Sequence, residues 1–140
     1  MNQHTGVRGL RGATDPQWAA LVDDGRPLFL QIAEMIENSI IDGSLAEEAQ
    51  VPSTNELAAF HRINPATAGK GVNQLVDDGT IYKRRGIGMF VTTGARAKLI
   101  ARRRDQFAQQ YVRPLLAEAE KLGLSVTDIK SLIDQWEEKP

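Results

Sequence analysis

The residues able to do chemistry in this chain of 140 residues are few and badly placed for catalysis. There is no cysteine, which excludes disulfides, thiolate metal sites and a cysteine nucleophile. The two histidines, His4 and His61, have no carboxylate or second ligand at helical or hairpin spacing. His61 reads as a plain turn or core residue. Gly86-x-Gly88 lacks the G-x-x-x-x-G-K-[ST] pattern of a phosphate loop and lies between strand-like runs instead of opening a helix. Asp77–Asp78 and Glu137–Glu138 read as solvated helix ends. No catalytic residue, metal site or cofactor is expected.

What remains is recognition of phosphates and base edges. Lys83, Arg84 and Arg85 stand beside Gly86, a cationic turn suited to phosphates or a narrow minor groove. Upstream, "NPATAGKG" carries short polar side chains at the start of a helix. A major groove about 12 Å wide admits such an element. Thr67 and Lys70 can reach phosphates or base edges. Asn64 serves as an N-cap, a base or backbone contact, or both. Gly69 and Gly71 each weaken the helix by about 1 kcal/mol relative to alanine. Gly71 reads as close helix–helix packing. Gly69, on a different face, reads as space cleared so that the backbone lies deep in the groove. The net charge of -1 gives no global basic signal, which argues mildly against coating nucleic acid by charge alone. Charge is nonetheless segregated. Residues 27–50 carry only acidic groups, and Arg96, Lys98 and Arg102–Arg104 form a basic run.

These groups need elements to position them. "PLFLQIAEMIENSIIDG" places Leu28, Ile32, Met35, Ile36 and Ile40 at helical spacing between Pro27 and Gly43. Ser53 and Glu56 form the S-x-x-E capping box of a short second helix. Asn64 and Pro65 open a third, with Val72, Leu75 and Val76 inward and Gly79 ending it. Ile81, Tyr82, Phe90 and Val91 flank "RRGIG" as a β-hairpin. A helix-turn-helix followed by a hairpin is a winged-helix pattern. Beyond Gly94 a long helix, kinked at Pro114, and a last helix capped by Ser125 with Asp128 at N3 each carry an apolar stripe. Two such helices cannot bury both stripes alone; they need the first domain or a second copy of the chain. The expected fold is mainly α with one small hairpin: a flexible arm over 1–20, a winged helix-turn-helix over 21–94 and a two-helix dimerisation tail over 95–140. The tail face is Phe107, Tyr111, Leu115, Leu122, Ile129, Ile133 and Trp136. No apolar run reaches the roughly 20 residues that span a bilayer. The N-terminus lacks a signal-peptide core. A soluble cytoplasmic protein without membrane contact is expected.

"PLFLQIAEMIENSIIDG", "VPSTNELAAFHRINPATAGKGVNQLVDDG" and "IYKRRGIGMFV" resemble, in order and spacing, the winged-helix domain of GntR-family transcriptional regulators. The most specific parts are P-S-x-x-E-L-A, N-P-x-T and R-R-G-x-G-x-F-V. The tail containing "RPLLAEAEKLGLS" resembles the YtrA-type subfamily, and the likeness runs from Pro27 to Trp136. The resemblance implies a homodimeric repressor on a two-fold symmetric DNA operator, with the third helix in the major groove and the wing in the minor groove. It carries DNA contact onto Ser53, Asn55, Asn64, Pro65, Thr67, Lys70, Arg84, Arg85 and Gly86. It further implies that the short tail dimerises in place of a larger effector domain, and that the regulated genes include ABC transporters. Three positions depart from the family pattern: Asn55 replaces an arginine that often reads guanine, Gly69 replaces a side-chain-bearing residue, and Arg62 replaces a turn glycine. The operator therefore cannot be copied from relatives. An effector, if one exists, would sit at the dimer interface, because the tail is too short to enclose a pocket of about 300 Å³. The alternative function is a protein-interaction module built on the same scaffold, and salt-dependent retention on DNA separates the two.

Overall fold

The computed structural model describes Leu21 and residues 25–138; the N-terminal arm expected over 1–20 lies outside the described residues. The chain forms two compact units, divided between Ile100 and Ala101. It is mainly helical with one hairpin, as the sequence predicts.

In the first unit, α1 (Leu28–Ile41) starts behind Pro27 and ends at Asp42, with Gly43 at φ +86° just beyond. Ile32, Ile36 and Ile40 recur every fourth residue and are essentially sealed from solvent. Leu28, the first member of the expected stripe, is exposed, whereas Ala33 and Gln31 are buried. The Gln31 amide stays satisfied by donating to the Arg26 carbonyl at 3.1 Å. The short helix α2 (Thr54–His61) opens on the predicted capping box: Ser53 Oγ accepts from the Glu56 N–H at 3.0 Å, and Glu56 Oε1 accepts from the Ser53 N–H at 2.8 Å. Arg62 ends it at φ +56°, in the left-handed region where a glycine sits without cost. Helix α3 (Pro65–Asp77) starts as predicted, with Asn64 Oδ1 accepting from the Ala66 N–H at 2.8 Å and Pro65 at N1. Ala68, Gly71, Val72 and Leu75 form its buried face.

The wing is β1 (Ile81–Arg84) paired antiparallel with β2 (Gly88–Val91), in the register Ile81–Val91, Tyr82–Phe90, Lys83–Met89, Arg84–Gly88. The connection between α1 and α2 lies along the other edge of β2. Its Glu48 N–H donates to the Val91 carbonyl, the Val91 N–H to the Ala49 carbonyl, and the Val51 N–H to the Met89 carbonyl. This edge-covering segment leaves β2 without an open side, and it was not legible as a strand because only a few residues take part. Leu45 and Val51 from this connection join the core with Ile81, Val91, Ala95 and Leu99. The first turns of α4 (Ala95–Phe107) thus pack into the winged unit. Arg96 of α4 has a structural role within the expected basic run: its Nε donates at 2.8 Å to the Ile41 carbonyl at the end of α1.

The tail does not continue as one helix past Phe107. Residues Ala108–Val112 form a π-turn, and α5 (Arg113–Lys121) restarts with Pro114 in its first turn. Pro114 has no N–H to give the preceding turn, and its ring crowds the carbonyl four residues back. The wider π-turn accommodates both, at the point where the sequence predicts a kink. Helix α6 (Val126–Glu138) starts on a reciprocal cap: the Ser125 N–H donates to Asp128 Oδ2 at 2.8 Å and Ser125 Oγ accepts from the Asp128 N–H at 3.0 Å. These bonds hold the Asp128 carboxyl below the ordinary carboxylate range.

His61, at the end of α2, makes an edge-to-face contact with Phe60 at 4.9 Å. Its Nε2 is buried without a hydrogen-bond partner, and burial lowers its pKa. The folded state therefore takes up a proton less readily than the unfolded chain, whose histidine titrates near 6.5. Stability is expected to fall as pH drops through about 6.5 and to stop falling below the depressed folded value. The Glu48 and Asp128 carboxyls are also lowered, but from the carboxylate range, so their contributions are lost only at lower pH. Denaturation midpoints between about pH 8 and 5 should decline in the native chain and stay flat in His61→Gln. A flat native profile would show that His61 is not the titrating group.

Candidate nucleic-acid interface

Several exposed polar residues of the first unit stand at the starts of α2 and α3. Ser53 and Asn55 stand at the N-terminus of α2, and Asn64, Pro65 and Lys70 on α3; all five are exposed, and Thr67 is half-buried. The two helix starts are neighbours, because a Cβ built on Gly69 would lie 3.6 Å from Thr54 Cγ2. A side chain at Gly69 would meet α2 across an ordinary van der Waals gap, so the packing within the unit does not require glycine here. Gly71 behaves as predicted: an added Cβ would stand 2.6 Å from the Phe29 carbonyl oxygen of α1.

Several of these side chains already have work within the fold. Ser53 and Asn64 cap their helices, which leaves the Ser53 hydroxyl hydrogen and the Asn64 NH₂ group to donate outward. The Lys70 ammonium lies over the Phe29 ring, 4.1 Å from its centroid, a cation–π contact that steadies it beside α3. On the wing, Arg84 packs its guanidinium over Phe90 at 4.9 Å, and Arg85 and Gly86 form the exposed turn. Gly86 at φ +77° and Gly88 at φ +147° supply backbone that only glycine adopts readily. Gln50 Nε2 donates to the Ile87 carbonyl at 3.1 Å and so holds the wing tip.

Glu48 is the residue that sequence reasoning missed. It takes φ +66° without being glycine. Its carboxylate accepts from the Tyr82 hydroxyl and from Thr93 Oγ1. Thr93 first, then Tyr82, holds the Glu48 carboxyl below its ordinary range, and the same bond pushes the Tyr82 phenol up. No local pattern announces it, since its partners lie 34 and 45 residues away.

Residues 28–91 match the model of the bacterial regulatory proteins of the gntR family. A GntR-family regulator structure from Bacteroides thetaiotaomicron is 31% identical, with TM-score 0.62, over 78% of this chain and 95% of that one. The chain belongs to the GntR family. A second GntR-family regulator, from Listeria monocytogenes, superposes with TM-score 0.66 at 26% identity over 81% of this chain and 98% of that one. The transcriptional repressor YtrA of Bacillus subtilis is 24% identical over 109 residues, covering 78% of this chain and 83% of YtrA. A match of that length cannot be confined to residues 28–91, so the similarity of this GntR-family chain to YtrA extends beyond the winged helix.

The tail unit exposes most of the face assigned to it. Phe107, Tyr111, Leu115, Leu122 and Ile133 are exposed, and Trp136 is 76% exposed. Ile129 differs: it is only 7% exposed in a single chain. Leu115, Ile129, Leu132, Ile133, Trp136 and Glu137 line an open, largely apolar groove of about 370 Å³. Among the described residues no helix is long and apolar enough to cross a membrane.

Proposed function

We propose that the chain is a homodimeric repressor that binds a two-fold symmetric DNA operator. Helix α3 enters the major groove, the wing follows the minor groove, and the tail joins two copies. The observation that carries this reading is the grouping on one unit of an exposed, Asn64-capped helix start, the neighbouring start of α2, and an arginine-bearing hairpin tip. Asn55, Asn64, Thr67 and Lys70 are then the groups that meet base edges and phosphates, with Ser53 and Pro65 setting the backbone approach. Arg84, Arg85 and Gly86 serve the wing. The name of YtrA, a repressor, supports repression as the outcome of binding. The exposed apolar groove of the tail supports dimerisation, and two copies related by a two-fold axis would present α3 to two half-sites.

Selection of bound sites from random duplex DNA, read by sequencing, tests the proposal. The expected product is a pair of half-sites in inverted orientation. Recovery of no enriched sequence, with no retention on DNA at low salt, would favour the interaction-module reading. Arg85→Ala should weaken binding to all sequences alike and lower the salt slope by about 1, as loss of one phosphate contact does. A loss confined to one operator position would instead make Arg85 a base reader.

A further inference from the structure

Glu48 holds a left-handed backbone conformation that disfavours an L-residue and that glycine adopts freely. Its side chain supplies what glycine would not. One carboxylate oxygen accepts from Tyr82, in β1, and the other from Thr93, just past β2, so a single group ties both legs of the hairpin to the α1–α2 connection. The Glu48 N–H adds a bond of 2.8 Å to the Val91 carbonyl. From Tyr82 the contacts run outward along the wing. Tyr82 pairs across the hairpin with Phe90, their rings 6.1 Å apart, and Arg84 lies over that same Phe90 ring. Tyr82 and Arg84 are two residues apart on β1 and share a face.

We propose that Glu48 is a positioning residue for DNA binding: through Tyr82 and Phe90 it fixes the hairpin so that Arg84 is in place before DNA arrives. The inference rests on the reading that the wing contacts DNA. Pre-organisation of this kind raises affinity by lowering the ordering cost of binding. It also fixes an unusual sign. Removing an exposed carboxylate from a DNA-binding surface should strengthen binding through charge alone. Removing this one weakens it.

The test measures affinity of the full chain for a labelled, mixed-sequence DNA duplex at low salt, for Glu48→Ala, Glu48→Gln, Arg84→Ala and the Glu48→Ala/Arg84→Ala pair. Arg84→Ala should weaken binding and lower the salt slope by about 1. Glu48→Ala should weaken binding by roughly threefold to tenfold, within the range of coupling between contacting groups. Glu48→Gln keeps an acceptor for Tyr82 and a donor for Thr93, and should stay near the native affinity. In the Arg84→Ala background, Glu48→Ala should add nothing. Equal or tighter binding by Glu48→Ala, beside a weakened Arg84→Ala, overturns the positioning role and leaves the wing reading standing. So does the same Glu48→Ala loss in both backgrounds, which marks general destabilisation. An Arg84→Ala variant with native affinity and salt slope overturns the wing reading, and this inference with it.

Discussion

Gly71→Ala is expected to destabilise the winged unit severely. The new methyl would stand 2.6 Å from the Phe29 carbonyl oxygen and 3.1 Å from Ile32 Cβ and Cγ2. Neither neighbour can retreat cheaply. The first is backbone inside α1, and Ile32 is sealed in the core beside Ile36. Overpacking a tight core costs about 1–3 kcal/mol, and a backbone clash stands at the upper end. The helix gains at most about 1 kcal/mol from losing a glycine. The balance is a net loss of about 2 kcal/mol or more, worth roughly 4–8 °C of melting temperature per kcal/mol in a unit of this size. Gly69→Ala makes the control, since its methyl meets only Thr54 Cγ2 at 3.6 Å. It should raise stability by up to about 1 kcal/mol and leave DNA affinity within about twofold. Thermal melts of the pair decide the matter. An unchanged melt for Gly71→Ala would mean that α1 and α3 separate easily. A marked loss of DNA binding in Gly69→Ala would support its reading as a groove-approach device.

Leu115→Ala and Trp136→Ala are expected to shift the chain from dimer to monomer. Both side chains are exposed in one copy, and both line the apolar groove. Large side chains at the centre of an interface cost about 2 kcal/mol or more to truncate, and 2 kcal/mol is roughly 30-fold in the dimer dissociation constant. Sedimentation across a concentration series measures that constant directly. Ile129→Ala should act differently. Ile129 is already buried within one tail, so its truncation should lower the melting temperature of the tail unit. If Leu115→Ala and Trp136→Ala dimerise as tightly as the native chain, the interface lies on another surface. A truncation that isolates the winged unit should end after Ile100, because Ala95 and Leu99 belong to its core.

Local chemistry accounts for the features that were legible in advance. A capping serine and its glutamate sit three residues apart, as in Ser53–Glu56, so the helix start is written in adjacent positions. The same holds for Asn64–Pro65, for Ser125–Asp128 and for Gly43 and Gly79 at positive φ. Periodicity marked Ile32, Ile36, Val72 and Leu75 as core, since a helix buries one face. It failed where that face tapers at an end: Leu28 fits its stripe and is nonetheless exposed. The internal duties of the residues proposed to meet DNA were not legible in the sequence. Lys70 on Phe29 and Arg84 on Phe90 are contacts across elements that no spacing predicts.

The sequence by itself determined where the helices and the hairpin begin and end, because caps, turn glycines and Pro65 act within a few residues of one another. Its motifs also pointed to the GntR family, whose model residues 28–91 match. Only the tertiary structure showed which atoms stand opposite Gly69 and Gly71, because a glycine has no side chain whose type could report its neighbour. It alone assigned Glu48 to the wing and Arg96 to the end of α1, and paired residues 48–51 with β2. Those contacts join residues 34 to 55 positions apart, and such partners are chosen by how the helices pack, which adjacent residues do not encode.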